Sequence, residues 1–263
     1  MYGSPGSKRQ SMVGTLNWDV EALCEAAWPA LEEERVAGWT LKYAAGVSRR
    51  SNSANPTPDA VHDLVQVAPA AETFFRARDL PCRFRILSFL PPQLDRWLAM
   101  RGYEIESGTR TLQAAGIGAA RQSGRTSLTA KPDAGWIQGV TAAQGREGAE
   151  REIYSRIIAR LTVSTAFAVT RNDAGEAASW AFGAITAHGL CIESVATRPD
   201  QRGRGLAGET VSALMAWGAS HRAGAAFLQV QADNHAAIRV YGRLGFDREL
   251  YRYHYRTLAT GPV

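Results

Sequence analysis

Lysine is almost missing from this 263-residue chain: Lys8, Lys42 and Lys131 are the only three, and the other 27 of its 30 basic residues are arginines. Cysteine is equally sparse. Cys24, Cys82 and Cys191 lie far apart, with no close pair, which supports neither a disulfide framework nor a zinc knuckle. No apolar run approaches the ~20 residues a membrane span needs, and residues 1–11 are polar and Gly/Ser-containing, without the apolar core of an export signal. These absences leave a soluble cytoplasmic protein as the expectation, with 1–11 as a disordered tail. What is present is ordinary globular composition, 45% hydrophobic and 21% charged, and enough length for about two domains. The net charge of +5 and the arginine bias suit an anionic partner, because a guanidinium grips phosphate or carboxylate with two donors. A simple bias toward Arg and Ala explains the same excess.

Hydrophobic spacing gives a mixture of strands and helices. Leu16 to Glu34 reads as a helix bent at Pro29, Trp39–Tyr43 as a strand, and Asp59 to Arg78 as a helix burying Val61, Leu64, Val65, Ala68, Phe74 and Phe75. Cys82 to Leu90 is a strand, Pro91 to Arg101 a short helix, and a strand runs on to about Leu112. Ala114 to Gly124 has linker composition. Beyond it come a strand at Thr126, a helical region 134–160, a hairpin across 163–186 and a strand at 190–197. The pattern then continues with a helix at 207–222, a strand at 227–231, a helix at 234–244 and a closing strand at 247–256. Hairpins and strand–helix–strand crossovers together predict an α/β fold with a mixed central sheet flanked by helices.

The chain also matches itself. A shift of 143 residues pairs Gly46 with Gly189, Ser51 with Ser194, Pro56 with Pro199, Phe84 with Phe227, Arg96 with Arg239 and Gly102 with Gly245. The matches fall on turns and on a strand–helix–Gly-aromatic unit in both copies, so the sequence reads as a diverged tandem duplication. The expected organisation is an N-terminal domain at 12–113, a linker at 114–125 and a second domain at 126–258.

The chemistry concentrates in Ile192-Glu-Ser-Val-Ala-Thr-Arg-Pro-Asp-Gln-Arg-Gly-Arg-Gly-Leu-Ala207. A strand enters a loop with Gly203 and Gly205, and the loop opens an amphipathic helix. Glycines admit a ligand close to the backbone, and amides at a helix N-terminus attract anions with the helix dipole behind them. Arg202 and Arg204 add charge. The result is a pyrophosphate cradle, distinct from the Walker loop and from the dinucleotide fingerprint.

Arg202-x-x-Gly205-x-Ala207 after Val-Ala-Thr-x-Pro resembles the acetyl-coenzyme A loop of the GNAT superfamily of N-acetyltransferases. Leu-Gln-Val-Gln231, Asn234 and Ala-Ile-x-Val-Tyr-x-x-Leu-Gly-Phe246 continue the resemblance, which covers about Thr126 to Thr257. It implies a GNAT-like fold in two tandem lobes and acetyl-CoA as co-substrate, with no metal. The backbone of Val195, Ala196 and Thr197 would pair with the pantetheine arm at a splayed strand. Amides from Arg202 through Gly203, Arg204, Gly205, Leu206 and Ala207 to Gly208 would bind the pyrophosphate, and Asn234 the cofactor arm. Tyr241 would protonate the departing thiolate, a role that suits a phenol protonated at neutral pH.

The base is less defined. Some relatives place a glutamate where this chain has Gln229, which cannot take a proton usefully. Glu193 is the remaining carboxylate beside the expected thioester; base, partner of a substrate ammonium and structural ion pair all stay open to it, and a water chain is a further route.

The N-terminal copy lacks this equipment. At the same shift Arg202 meets Asp59, Gly205 meets His62 and Tyr241 meets Leu98. It reads as a degenerate lobe, kept as structure or as part of the acceptor pocket. Its Ser48–Pro56 run suits either a hydrogen-bonded turn or an anion grip, while Trp136 and Trp180 fit either the core or the cleft. The expected activity is acetyl transfer to a primary amine by direct attack in a ternary complex. An acyl-CoA-binding sensor is the alternative, and a nucleic-acid-binding protein ranks third. Acceptor identity and oligomeric state are not encoded in any motif.

Overall fold

Helix α1 (Pro5–Ala27) stops two residues before Pro29, whose ring cannot continue a helix, and Glu32–Glu34 fall instead into a strand. The computed structural model describes residues 5–259 apart from 62, with side chains from Gly14 onward. Residues 1–4 of the expected tail lie outside this range, while 5–11 belong to α1, contrary to the expectation of disorder. His62 is likewise outside the described residues.

The N-terminal half continues with β1 (Glu32–Val36), β2 (Trp39–Tyr43), β3 (Ala54–Pro56), α2 (Val67–Arg76), β4 (Cys82–Leu87), α3 (Pro92–Met100) and β5 (Glu104–Ala115). The C-terminal half holds β6 (Thr126–Thr129), α4 (Ala134–Ala143), α5 (Gly148–Ala159), β7 (Ser164–Arg171), β8 (Ala177–Thr186) and β9 (Gly189–Thr197). It closes with α6 (Leu206–Ser220), β10 (Ala225–Gln231), α7 (His235–Arg243) and β11 (Arg248–Leu258). Shifted by 143 residues, α3 coincides end for end with α7, and β4 falls within β10.

One sheet of eleven strands unites them, in the order β1-β2-β3-β4-β11-β5-β10-β9-β8-β7-β6. The order contains an exchange. The last strand of the first half, β5, runs antiparallel to β10, and the last strand of the second half, β11, runs antiparallel to β4; β5 and β11 pair with each other at the centre. The two halves therefore share one continuous sheet. The expected linker shrinks accordingly, because Ala114 and Ala115 end β5, and Ala114 and Ile117 are buried.

Alternating residues of the C-terminal strands bury two faces, as the strand period of two requires. Ile192 and Leu228 pack with Val211 and Leu214 of α6 on one side, whereas Cys191, Phe227, Phe182 and Phe167 meet α4 and α5 on the other and merge with the core of the first half. Helix α2 starts only at Val67, which places Pro69 in its first turn, where a missing N–H is tolerated. The earlier start expected at Asp59 fails for that reason, and Val61 and Val65 are exposed rather than buried. Cys24 and Cys191, scattered in sequence, bring their sulfurs to 3.7 Å across the two halves and remain thiols. Among the described residues no helix is long and apolar enough to cross a membrane.

Candidate active site

The parallel pair β9–β10 holds only from Leu190–Ala226 to Ile192–Leu228. Beyond that point β9 keeps β8 as its one neighbour and a bulge intervenes, because Phe182 faces Glu193 while Trp180 faces Ala196. Ser194 occupies the bulge with φ of 56°, a left-handed conformation. One backbone edge of Val195, Ala196 and Thr197 is thereby left without a strand.

The chain then turns through Pro199–Gln201 into the loop before α6. Arg202, Gly203, Arg204 and Gly205 are exposed, and Leu206 is buried as the first residue of the helix. Gly203 and Gly205 have φ of 78° and 81°, and a Cβ at either would meet no atom within 4 Å. Glycine is needed here for conformation, and the space above the loop is open. Among the described residues no side chain caps α6, and the first-turn amides of Leu206, Ala207 and Gly208 have no backbone partner. Three N–H donors thus stand at the positive end of a fifteen-residue helix dipole.

Asn234 caps α7: its Oδ1 accepts from the Ala237 amide at 3.1 Å, which leaves the Nδ2 donor for other contacts. Tyr241 lies on α7 with its ring 6.0 Å from that of Phe246. Burial, and secondarily the Glu193 carboxylate, push its phenol above the ordinary value, so the hydroxyl keeps its proton. It does not line the pocket described next.

That pocket, about 520 Å³, opens where the halves meet. Its floor is a polar chain whose buried root is Glu21 of α1. Glu21 makes a two-pronged ion pair with Arg85 of β4 and accepts from the Tyr251 hydroxyl. Burial alone would raise its carboxyl, but Arg85 outweighs this and holds it below the usual range. The Gln229 amide nitrogen reaches Glu21 at 3.4 Å, and its Oε1 accepts from Tyr253 at 3.1 Å and from Arg50 Nη1 at 2.6 Å. The other Arg50 prong, Nη2, donates to Glu193 Oε1 at 2.7 Å. Glu193 Oε2 makes no hydrogen bond among the described residues, so the ion pair orients the carboxylate and leaves one oxygen available.

Arg50 is an addition that motif reading missed, yet the shift of 143 residues pairs it with Glu193. The Ser48–Pro56 run is in fact a turn as well: Asn52 Oδ1 accepts from the amides of Ala44 and Gly46 at 2.8 and 3.0 Å, and its Nδ2 donates to Ser48 O at 2.7 Å. That locked turn carries Arg49 and Arg50 to the pocket. Ser107, at a second bulge in β5 with φ of 51°, lines the pocket beside Ser194. Trp136 and Trp180 do not line it. Trp136 is buried against Phe167 with its Nε1 donating to Ala168 O, and Trp180 fills the space over Gly139.

Known structures share this architecture. A GCN5-related N-acetyltransferase from Kribbella flavida superposes with TM-score 0.63 at 16% identity, covering 94% of this chain and 96% of the other. A tandem GNAT protein from the clavulanic acid biosynthesis pathway gives 0.62 at 16% identity, covering 94% and 89%. In sequence, the uncharacterized N-acetyltransferase YobR of Bacillus subtilis is 27% identical over 243 residues, 90% of this chain and 96% of that protein. With this architecture and these relatives, the protein is a GNAT-type N-acetyltransferase. Within that class the chain belongs to the family described as "Probable histone acetyltransferase Rv0428c C-terminal", which matches residues 18–256.

Proposed function

We propose that the protein moves an acetyl group from acetyl-CoA to a primary amine by direct attack, with both substrates bound together. The observation that carries this reading is the start of α6, where uncapped amides, two left-handed glycines and two exposed arginines border open space. The amides from Gly203 to Gly208, with Arg202 and Arg204, hold the pyrophosphate. The free edge of Val195, Ala196 and Thr197 takes the amide-bearing arm, with Asn234 Nδ2 as a further donor. Acetyl-CoA supplies the activated thioester.

The chain's own residues then manage two protons. As the C–N bond forms, Glu193 Oε2 takes the proton of the attacking amine, and as the C–S bond breaks, Tyr241 delivers one to the sulfur. Arg50 and Gln229 act as positioning residues for Glu193. Tyr241→Phe should lower turnover by roughly 10²- to 10⁴-fold with little change in acetyl-CoA affinity, read by thiol release and calorimetry. Gly205→Glu should abolish acetyl-CoA binding, through its side chain and its charge. Unchanged turnover in the first variant removes Tyr241 as the acid, and retained binding in the second removes the loop as the anchor. The held state of Glu193 Oε1 favours one other reading, an acyl-CoA sensor without catalysis; that reading predicts tight binding and no thiol release across an amine panel.

A further inference from the structure

The acceptor pocket is unbalanced in charge. Four arginines line it, Arg49, Arg50, Arg83 and Arg146, against one lining carboxylate, Glu193. Arg50 is satisfied by Glu193 and Gln229. Arg49 and Arg83 share a single acid, Glu106, which contacts one with each oxygen. Burial would raise the Glu106 carboxyl, but hydrogen bonds from Arg83, Arg49 and Thr257 hold it down at about 2, so it stays fully charged and still balances only one of the two.

Arg146 has no such acid. It stands on the short α4–α5 connection, makes no ion pair, and its Nη1 is shut off from solvent without a hydrogen-bond partner among the described residues. Glu150, one turn further on, is exposed and forms no ion pair with it. The contrast with Arg50 is direct. Both are pushed down by burial, yet Glu193 lifts Arg50 above the ordinary guanidinium value, while Arg146 stays below it. A guanidinium remains charged in either case, so Arg146 brings into a partly dry wall a cation that meets only the Tyr154 ring and the distant charge of Glu150, with no carboxylate bonded to it among the described residues. Gln144, on the same connection, adds a second buried atom without a partner, its Oε1.

From this geometry we infer that the acceptor amine carries an anionic group, a carboxylate or a phosphate, which Arg146 grips while Arg49 and Arg83 supply the remaining surplus charge. This rests on the acetyltransferase reading and names its substrate class. It also gives the N-terminal half a task, since Arg49, Arg50 and Arg83 all come from it. A lysine-rich protein tail would meet four guanidiniums here and is disfavoured.

The test uses the full chain in two arms. In the first, thiol release is measured with matched amines on one skeleton: an ω-amino carboxylate, an aminoalkyl phosphate, the uncharged aminoalkyl alcohol and a lysine-rich peptide. The expected result is a kcat/KM for one of the anionic amines at least 10-fold above the alcohol and the peptide. Arg146→Met should shrink that ratio by about 10- to 100-fold, with Arg146→Lys between. Which anionic amine leads decides between carboxylate and phosphate. In the second arm, inorganic phosphate and succinate, which carry no amine, are titrated by calorimetry; binding to wild type that Arg146→Met weakens supports the site without any turnover. Equal rates for neutral and anionic amines, or preference for the peptide, with no effect of Arg146→Met, overturns the inference and leaves the acetyltransferase intact. Anion binding that depends on Arg146, with no thiol release from any amine, upholds the anion site and sinks the catalytic reading instead.

Discussion

Both halves run through three strands and then helix–strand–helix–strand, β1 to β5 and β7 to β11, and within that shared run they part company over one loop. In the C-terminal half the stretch before α6 leaves its amides unpaired beneath open space. In the N-terminal half the stretch before α2 is stitched to the β1–β2 turn. Thr57 N and Oγ1 both bond Gly38 O, at 3.1 and 2.7 Å, Val61 N bonds Ala37 O at 3.1 Å, and Trp39 Nε1 donates to Val61 O at 3.2 Å. A backbone whose donors are spent on its own fold has none to offer a phosphate. The two loops thus differ in hydrogen-bond partners as much as in residue types, and the N-terminal half instead carries Arg49, Arg50 and Arg83 to the shared pocket.

The largest expected effect breaks the seam between the halves. Glu21→Gln leaves the buried Arg85 uncompensated and should cost about 3–5 kcal/mol in urea unfolding, and Glu21→Leu with Arg85→Met should recover most of it. Next, Gly38→Ala sharpens the contrast of loops. Its Cβ would lie 2.2 Å from the Asp59 carbonyl oxygen, so the stitched segment must detach, at about 3 kcal/mol by thermal melting, with acetyl-CoA affinity kept. Gly205→Ala inverts that outcome. Its Cβ is unobstructed, so stability should fall by only about 1 kcal/mol from the left-handed φ, whereas calorimetry should show acetyl-CoA binding weakened several-fold.

The smallest effect concerns Asp95 of α3, which receives hydrogen bonds from Arg256 of β11, with His254 of β11 also contributing. These hold its carboxyl at about 2, below the ordinary 3.8. A folded value below the unfolded one means stability that is present above pH 3.8 and is lost as pH falls toward 2. Asp95→Asn should therefore cost about 1 kcal/mol at pH 7, because the pair is only partly covered and the amide keeps one acceptor for Arg256, and should flatten the acid limb of the unfolding midpoint between pH 4 and 2.

Local chemistry was readable where it depended on local residues. The offset between Gly102 and Gly245 located α3 and α7, and Gly203 and Gly205 located the start of α6, since helix ends and left-handed turns are written in a few adjacent residues. Partner choice at long range was not. Nothing in β5 or β11 says which neighbour it takes, because the ladder is made by backbone groups that are alike in every strand. The linker composition at 114–124 concealed the last residues of a strand for the same reason. Arg146 escaped notice because an unpaired cation is defined by what fails to surround it, which only the assembled pocket reveals.

The central exchange has a consequence for how the protein is made. Strand β11 follows the other ten strands in chain order, and until it is made β4 has an open edge in the middle of the future sheet. The first half therefore cannot finish folding while the second is being translated, and pairing across such sequence distance is slow. A chain cut before Arg248 loses the centre of its sheet, so neither half reaches a mature form ahead of the other.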